Sequence, residues 1–180
     1  MVGSRIRLAA AASFCLFTAA CASMPDEDDT RAAARGPETH GSHIQPGGMQ
    51  CVTYARARSG INIHGDASEW WDKSQGLYAH EDAPMPGSLL VLTGYAGPHR
   101  GHLAFVSAMV SDREIRVDHA NWLNDGAVFT DDPVVDVSAD NDWSQVRVWN
   151  PRAGAWGTHT YLVQGFIGPG HDDPRVADTN

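Results

Sequence analysis

From residue 88 to residue 167 the chain is a succession of short β-rich segments, and this feature limits its fold more than any other. Each segment is rich in β-branched, aromatic or leucine residues and is bounded by turn-forming residues. The predicted strands are "SLLVLTG" (88–94), "GHLAFVSAMV" (101–110), "EIRVDHANW" (114–122), "VVDV" between Pro133 and Asp142, "SQVRVWN" (144–150) and "THTYLVQGFI" (158–167). Short connections between successive strands predict an antiparallel sheet.

Two helix-capable stretches precede these strands. The first, "MQCVTYARARSG" (49–60), follows a Gly-Gly break and stops at Gly60, a residue type that commonly follows a helix. The second, "GDASEWWDKSQG" (65–76), has Asp66 and Glu69 at the spacing of a capping box. Helices followed by a run of strands predict an α+β fold, with N-terminal helices packed on an antiparallel sheet.

Composition narrows the class of protein. The chain has 180 residues, with 13 Lys and Arg against 22 Asp and Glu, and a formal net charge of −9. This length suits one globular domain that buries a core without disulfides. The acidic balance and the lack of a basic cluster exclude nucleic-acid binding through phosphate neutralisation, and they argue against adsorption to anionic lipid.

The N-terminus is typical of a bacterial secretory leader. "MVGSRIR" carries two arginines, and an apolar run follows that is too short to span a bilayer in the mature protein. The end of the leader, "FTAACAS", is similar to a lipobox, in which Cys21 is lipidated and becomes the new N-terminus. The alternative is ordinary cleavage after "ACA". We therefore expect a periplasmic protein, either soluble or lipid-anchored to the outer membrane through Cys21.

The domain organisation follows from these segments. Residues 1–21 are the predicted signal peptide, and polar residues 22–45 without periodicity predict a flexible linker. Residues 46–168 form the predicted domain, and 169–180 a flexible tail. We expect a monomer that contacts a membrane only through the anchor.

Cys51 is the one cysteine beyond the leader, because Cys15 and Cys21 belong to it or to its cleavage site. An unpaired thiol in an oxidising compartment indicates a reactive group, although a small buried residue is the alternative. Its position at a helix start favours a lowered pKa and a thiolate. The amide groups there, including that of Gln50, are candidate donors to an oxyanion.

Strand alternation selects the partners of this thiol. His102 opens a strand and shares a face with Ala104 and Val106, which suits a base at the rim of the sheet. On the next strand, His119 and Asn121 share the apolar face, and Asn121 is a candidate to accept the imidazole N–H and fix its tautomer. Trp122 is placed to shield that hydrogen bond. Asp118 falls on the other face, where we expect it to point to solvent beside Arg116.

The segments "QCVTYARARSGI", "GHLAFVSAMV" and "DHANW" together resemble the CHAP domain, a cysteine- and histidine-dependent amidohydrolase and peptidase module. The continuation "VVDVSADNDWSQVRVWN" is similar to a version of it from alphaproteobacteria. The resemblance implies a papain-like fold and hydrolysis of an amide bond in peptidoglycan, either the N-acetylmuramoyl–L-alanine bond or a bond of the peptide stem or cross-link. It implies no metal or cofactor.

The resemblance also implies roles for individual residues. Cys51 matches the nucleophile, His102 the general base and Asn121 the polar residue before an aromatic. Gln50 matches a residue of the oxyanion hole. Many relatives have Glu where this chain has His119, so the third member is either Asn121 alone or includes His119.

Two other functions fit parts of the sequence. "HRGH" gives His99 and His102 a zinc-ligand spacing, with Cys51 or His119 as further ligands. A non-catalytic wall-binding or scaffold lipoprotein of the same fold would use the tryptophans to stack on sugars. The acidic stretches "DEDD" and "FTDDP" lack calcium-loop spacing and are expected to be solvated loops.

Overall fold

The computed structural model describes residues 41–169. This part of the chain contains two short α-helices, α1 (Cys51–Ser59) and α2 (Trp70–Ser74), with a 3-10 turn at Ala67–Glu69 before α2. The strands are β1 (His43–Gln45), β2 (His80–Glu81), β3 (Leu89–Thr93), β4 (His102–Ser111), β5 (Glu114–Ala120), β6 (Val128–Asp136), β7 (Gln145–Asn150), β8 (Ala155–Trp156) and β9 (Tyr161–Ile167). Strands therefore dominate the described residues.

The central strands close into a barrel. The order β6-β5-β4-β3-β9-β7 is hydrogen-bonded throughout, and β7 pairs back onto β6 through Val134 and Val148. Each of these pairings is antiparallel, as expected. The prediction of an α+β fold, with N-terminal helices packed on an antiparallel sheet, is correct only in part, because the described residues are mostly strand and six strands form a closed barrel. Closure removes the free edges that an open sheet would expose.

Two groups of buried apolar side chains hold the domain together. One lies between the barrel strands and includes Leu90, Leu92, Ala104, Val106, Ile115, Val117, Trp122, Phe129, Val134, Val146, Val148 and Phe166. The second joins the opposite face of β3 and β4 to α1, the 3-10 turn and α2, through Ala55, Ile61, Ile63, Ala67, Trp70, Leu89, Val91, Leu103 and Ile167. Because β3 is covered on both faces, its sequence "LLVLT" is an apolar run rather than an alternation.

The two helices differ in how well the sequence predicted them. Helix α1 ends as expected at Gly60, which has φ 76° and donates its N–H to the Arg56 carbonyl. The capping box at Asp66 was wrong, because that side chain makes no cap hydrogen bond. The Glu69 carboxylate instead accepts from Lys73, at 2.7 Å.

Three strands were not predicted. Strand β1 lies in the expected linker and pairs with the start of β6, from His43 opposite Thr130 to Gln45 opposite Val128. Strands β2 and β8 are two residues long each and carry little sequence signal. The leader, Cys21 and residues 170–180 lie outside the described residues. Within 41–169 we find no helix with the length and apolar character needed to cross a membrane.

Candidate active site

Cys51 is the first residue of α1, and the segment before it is fixed to the loop that follows β5. The Met49 N–H donates to the Gly126 carbonyl at 3.2 Å. Gly126 has φ 71°, and a Cβ there would lie 2.6 Å from the Gly47 carbonyl oxygen. A side chain at 126 would therefore push apart the two segments that place the thiol.

Burial raises the pKa of the Cys51 thiol above its ordinary value. Backbone hydrogen bonds from Leu103, Val52 and Cys51 itself act in the opposite direction, as does the charge of Arg100. The expectation of a lowered pKa was wrong, because desolvation outweighs the amides at the helix start. The thiol is nevertheless accessible, since Cys51 is only partly buried and lines an open depression.

His102 lies at the start of β4 and is 1% exposed. The 3-10 turn packs against the preceding Gly101 so closely that a Cβ there would lie 2.8 Å from the Ser68 nitrogen. Rings of Tyr95 and Trp122 flank the imidazole, with centroids at 4.9 Å each. Burial, and then the neighbouring His119, lower the pKa of His102 well below its usual value.

A chain of buried polar groups continues from His102 into the barrel. His102 Nε2 lies 3.0 Å from His119 Nδ1, and His119 Nε2 lies 3.1 Å from Asp132 Oδ2. His119 is 1% exposed and Asp132 is fully buried. The Ser42 hydroxyl donates to the other oxygen of the Asp132 carboxylate. The structure therefore brings His119, rather than Asn121, to the imidazole of His102.

Asp132 belongs to "FTDDP", which the sequence analysis assigned to a solvated loop, and that assignment was wrong. The cause is a bulge in β6: Val117 pairs with Asp132, but His119 pairs with Phe129 rather than with the residue two places from Asp132. Asp131 has φ 58° at this irregularity. Strict alternation puts Phe129 and Asp132 on opposite faces, whereas the bulge turns both inwards.

Asn121 has a different place from the one expected. Its amide NH2 donates to Gln50 Oε1 at 3.0 Å, and its carbonyl oxygen accepts from the Gly126 N–H at 2.9 Å. These two bonds fix the orientation of the Gln50 amide, so that its oxygen faces Asn121 and its NH2 group remains a donor for a ligand. Asn121 thus positions Gln50 beside Cys51 instead of holding an imidazole.

The expectation that Asp118 points to solvent was also wrong. Asp118 is 5% exposed, and its Oδ2 accepts from Arg58 Nε of α1 at 3.1 Å. Its Oδ1 accepts from the backbone N–H of Asp131, at 3.0 Å. Asp118 therefore braces the bulge in β6 from the outer face of the barrel.

Two depressions lie next to these residues. The first, which we call the cysteine depression, contains Gln50, Cys51, Asp66, Ser68, His99 and Arg100. The second, the aromatic depression, contains Tyr95, Trp122, Tyr161, Asn124 and Asn150. Tyr95 lines the aromatic depression, and its backbone N–H donates at 3.0 Å to the carbonyl of Arg100, a residue of the first depression.

The predicted zinc ligands do not form a cluster. Among residues 41–169 no group of three His, Cys, Asp or Glu side chains is arranged to hold a metal ion. His102 and His119 are instead bonded to each other through ring nitrogens.

Residues 41–121 match the family model of the CHAP domain. The chain contains a CHAP domain. The match includes Cys51, His102, His119 and Asn121, and it ends before Asp132.

A solved structure of an N-acetylmuramoyl-L-alanine amidase from Staphylococcus aureus is similar to this chain, with 22% identity and a TM-score of 0.40. The similarity covers 80% of this chain but only 41% of that protein, so this CHAP-domain chain spans less than half of its length. The curated proteins contain no match to the chain.

Proposed function

We propose that this chain is a peptidoglycan hydrolase that cleaves an amide bond with Cys51 as nucleophile and His102 as base. The observation that carries the proposal is the position of Cys51. Its thiol borders an open depression, at a helix start beside the backbone amide of Leu103, the residue that follows His102. A nucleophile, a neighbouring imidazole and convergent amides are the groups that acyl transfer needs.

The resting state in this proposal is a neutral pair. Burial raises the pKa of Cys51 and lowers that of His102, so both effects disfavour a thiolate–imidazolium pair before substrate binds. His102 therefore takes the thiol proton as the sulfur attacks the carbonyl carbon. The backbone amide at Cys51 and the NH2 group of Gln50 are the candidate donors to the oxyanion.

The reaction then follows two steps. The tetrahedral intermediate collapses, the C–N bond breaks, and the departing amine receives the proton from His102. Water next attacks the thioester, with its proton passing to His102, and the carboxylic acid leaves as the proton returns to the Cys51 sulfur. Protons and electron pairs balance without an additional reactant.

The two depressions favour the bond between muramic acid and the peptide over bonds within the peptide. Tyr95, Trp122 and Tyr161 offer ring faces, and Asn124 and Asn150 offer amides, a combination suited to a sugar. The cysteine depression contains Arg100, whose guanidinium can bind a carboxylate of a stem peptide. A muramoyl-peptide substrate lying across Cys51 would use both depressions.

Digestion of purified peptidoglycan, with the products identified by mass spectrometry, tests this proposal. We expect wild type to release fragments, and Cys51→Ala and His102→Gln to release none. His64→Gln is the matched control, because His64 is exposed and bonds only to nearby polar groups. Glycan strands whose lactyl groups end in free carboxylates, together with intact stem peptides, would identify the muramoyl–L-alanine bond, whereas shortened peptides would identify an endopeptidase.

The competing function is a wall-binding protein that does not hydrolyse. It predicts that wild type sediments with peptidoglycan from several bacterial classes and releases no fragment from any of them. Loss of activity on chelation but not on iodoacetamide treatment would instead support a zinc hydrolase.

We also propose that the protein is exported and anchored through Cys21. The support is the leader and the lipobox-like "TAAC" at 18–21. Membrane fractionation of wild type and Cys21→Ser tests this proposal. An anchored protein becomes soluble in the variant, whereas an ordinary secreted one is soluble in both.

A further inference from the structure

Asp132 lies beyond the matched segment, yet it ends the polar chain that starts at His102. A buried carboxylate needs partners for its oxygens, since burying an unpaired charge is costly. Here Ser42 satisfies Oδ1 and His119 satisfies Oδ2. Both oxygens are thus committed within residues 41–169, and the carboxylate has a fixed orientation.

The hydrogen-bond inventory of these groups fixes where the protons lie. A carboxylate only accepts, so the facing Nε2 of His119 must carry hydrogen. In a neutral ring, Nδ1 of His119 is then an acceptor, and His102 donates to it through Nε2. The remaining nitrogen of His102, Nδ1, is therefore unprotonated and able to accept a proton.

We propose that Asp132 is a positioning residue, which through His119 holds His102 in the tautomer whose Nδ1 accepts the thiol proton. The inference rests on the proposed function only for the identity of His102 as the base. An imidazolium at position 119 would produce the opposite tautomer, with His102 Nδ1 protonated and unable to act. Asp132 therefore acts on His102 through two hydrogen bonds, the one between Asp132 and His119 and the one between His119 and His102.

The surroundings of the chain leave Asp132 as the group that determines the tautomer. Tyr95 also packs on His102, but burial raises the pKa of its phenol to about 12, so it remains neutral. Trp122 stacks on His119 with centroids 5.3 Å apart and carries no charge. The bulge at Asp131 turns Asp132 inwards, so this part of the strand contributes to the hydrogen bond with His119 as well as to packing.

Nitrogen-15 NMR of the histidine rings tests the assignment on the purified chain without any substrate. In wild type we expect His102 with hydrogen on Nε2 and a bare Nδ1, and His119 also with hydrogen on Nε2. In Asp132→Asn the new NH2 group donates to His119 Nε2, and both tautomers reverse. The control is Asp131→Asn, the same substitution at a neighbouring carboxylate whose side chain is 51% exposed, and it leaves both tautomers unchanged.

Kinetics on peptidoglycan provide the second readout. Asp132→Asn is expected to lower kcat by about 10²- to 10⁴-fold with KM little changed, because the base is present in the wrong tautomer. Ser42→Ala keeps the carboxylate and is expected to keep the wild-type tautomer, with kcat reduced by less than about tenfold. It also serves as the second variant should Asp132→Asn fail to fold.

The outcomes separate the two proposals. A wild-type His102 protonated on Nδ1, or a kcat loss in Asp132→Asn without reversal of the tautomer, would overturn the role of Asp132. Absence of hydrolysis by every variant, with the expected tautomers in the NMR spectra, would overturn the proposed function and leave the proton arrangement standing.

Discussion

Two buried carboxylates on neighbouring strands, Asp118 and Asp132, differ in their hydrogen-bond partners. Asp132 faces the barrel interior and bonds to a histidine, a group that changes its proton position. Asp118 faces α1 and bonds to the permanent cation of Arg58 and to a backbone N–H. Burial of a carboxylate is therefore not by itself a sign of catalysis; a partner that can exchange a proton is the distinguishing feature.

The largest effect should come from breaking the hydrogen-bonded series His102–His119–Asp132 at His119. His119→Leu removes both ring nitrogens, and we expect kcat to fall about 10²- to 10⁴-fold. His119→Gln should retain kcat within about tenfold, because its NH2 group can donate to Asp132 while its oxygen accepts from His102. Steady-state kinetics on peptidoglycan, with circular dichroism as a folding control, compare the two. Equal losses in both variants would show that position 119 serves only to fill the core.

The next largest effect is expected from acidification, which acts on this series through His102. The pKa of His102 is lowered, so the base remains unprotonated and kcat/KM persists at pH values below the ordinary 6.5. The same depression destabilises the fold as pH falls, because the unfolded chain binds the proton first. Each pH unit between 6.5 and the folded pKa costs about 1.4 kcal/mol.

Denaturant unfolding and kcat/KM of the wild type, measured from neutral to acidic pH, check this effect, and His102→Gln is the reference without this titration in the unfolding measurements. An acid limit of activity at or above pH 6.5 would contradict a desolvated base.

The outer carboxylate should matter to stability more than to rate. Asp118→Ala leaves the Asp131 N–H without its acceptor, and we expect unfolding free energy to fall by about 1–3 kcal/mol. We expect kcat to change by less than about threefold, as long as the bulge keeps its shape. Urea unfolding and kinetics on one preparation measure both quantities. A rate loss comparable to that of Asp132→Asn would mean that Asp118, on the outer face of the barrel, affects the residues of the inner face through the bulge in β6.

The smallest effect is expected at Arg58, the cation that pairs with Asp118. Arg58 is 48% exposed on its side chain and also lies over the Phe105 ring, with 4.4 Å between the guanidinium carbon and the ring centroid. Arg58→Lys keeps the charge and loses the planar contact, so we expect a loss of about 1 kcal/mol or less. Thermal unfolding at low and high salt measures it. A loss well above this value would show that Asp118 depends on the arginine more than on the backbone.

The sequence predicted those parts of the fold that depend on local pattern. The sequence predicted β3, β4, β5, β7 and β9 from their β-rich composition and turn residues, and it predicted helix α1 from the Gly-Gly break and Gly60. Barrel closure did not follow, because it also needs β3 to pair with β9, with Leu89 opposite Ile167, and no local pattern contains a register between segments so far apart in the chain. The helical content was overestimated for a related reason: α2 has only five residues, and tertiary packing limits its length.

The site was predictable where residues stood in regular strands. His102 shares its face with Ala104 and Val106 as alternation required, and His119 shares its face with Val117. Asp118 was misplaced because the outer face of β5 was assumed to be solvated, and Asp132 was misplaced because "FTDDP" was assumed to be a solvated loop. The only available signal was the pair of adjacent aspartates before Pro133, which interrupts a β-rich segment as bulges often do.

The hydrogen bond between Ser42 and Asp132 has a practical consequence for where a fragment of this protein should be cut. A fragment that begins at residue 46, the boundary suggested by composition, lacks Ser42 and all of β1. It would leave the backbone of 128–130 with an unpaired edge and one oxygen of the buried carboxylate without its donor. A shortened protein intended for enzymology should therefore begin no later than residue 41, even though the residues before the nucleophile resemble a dispensable tether.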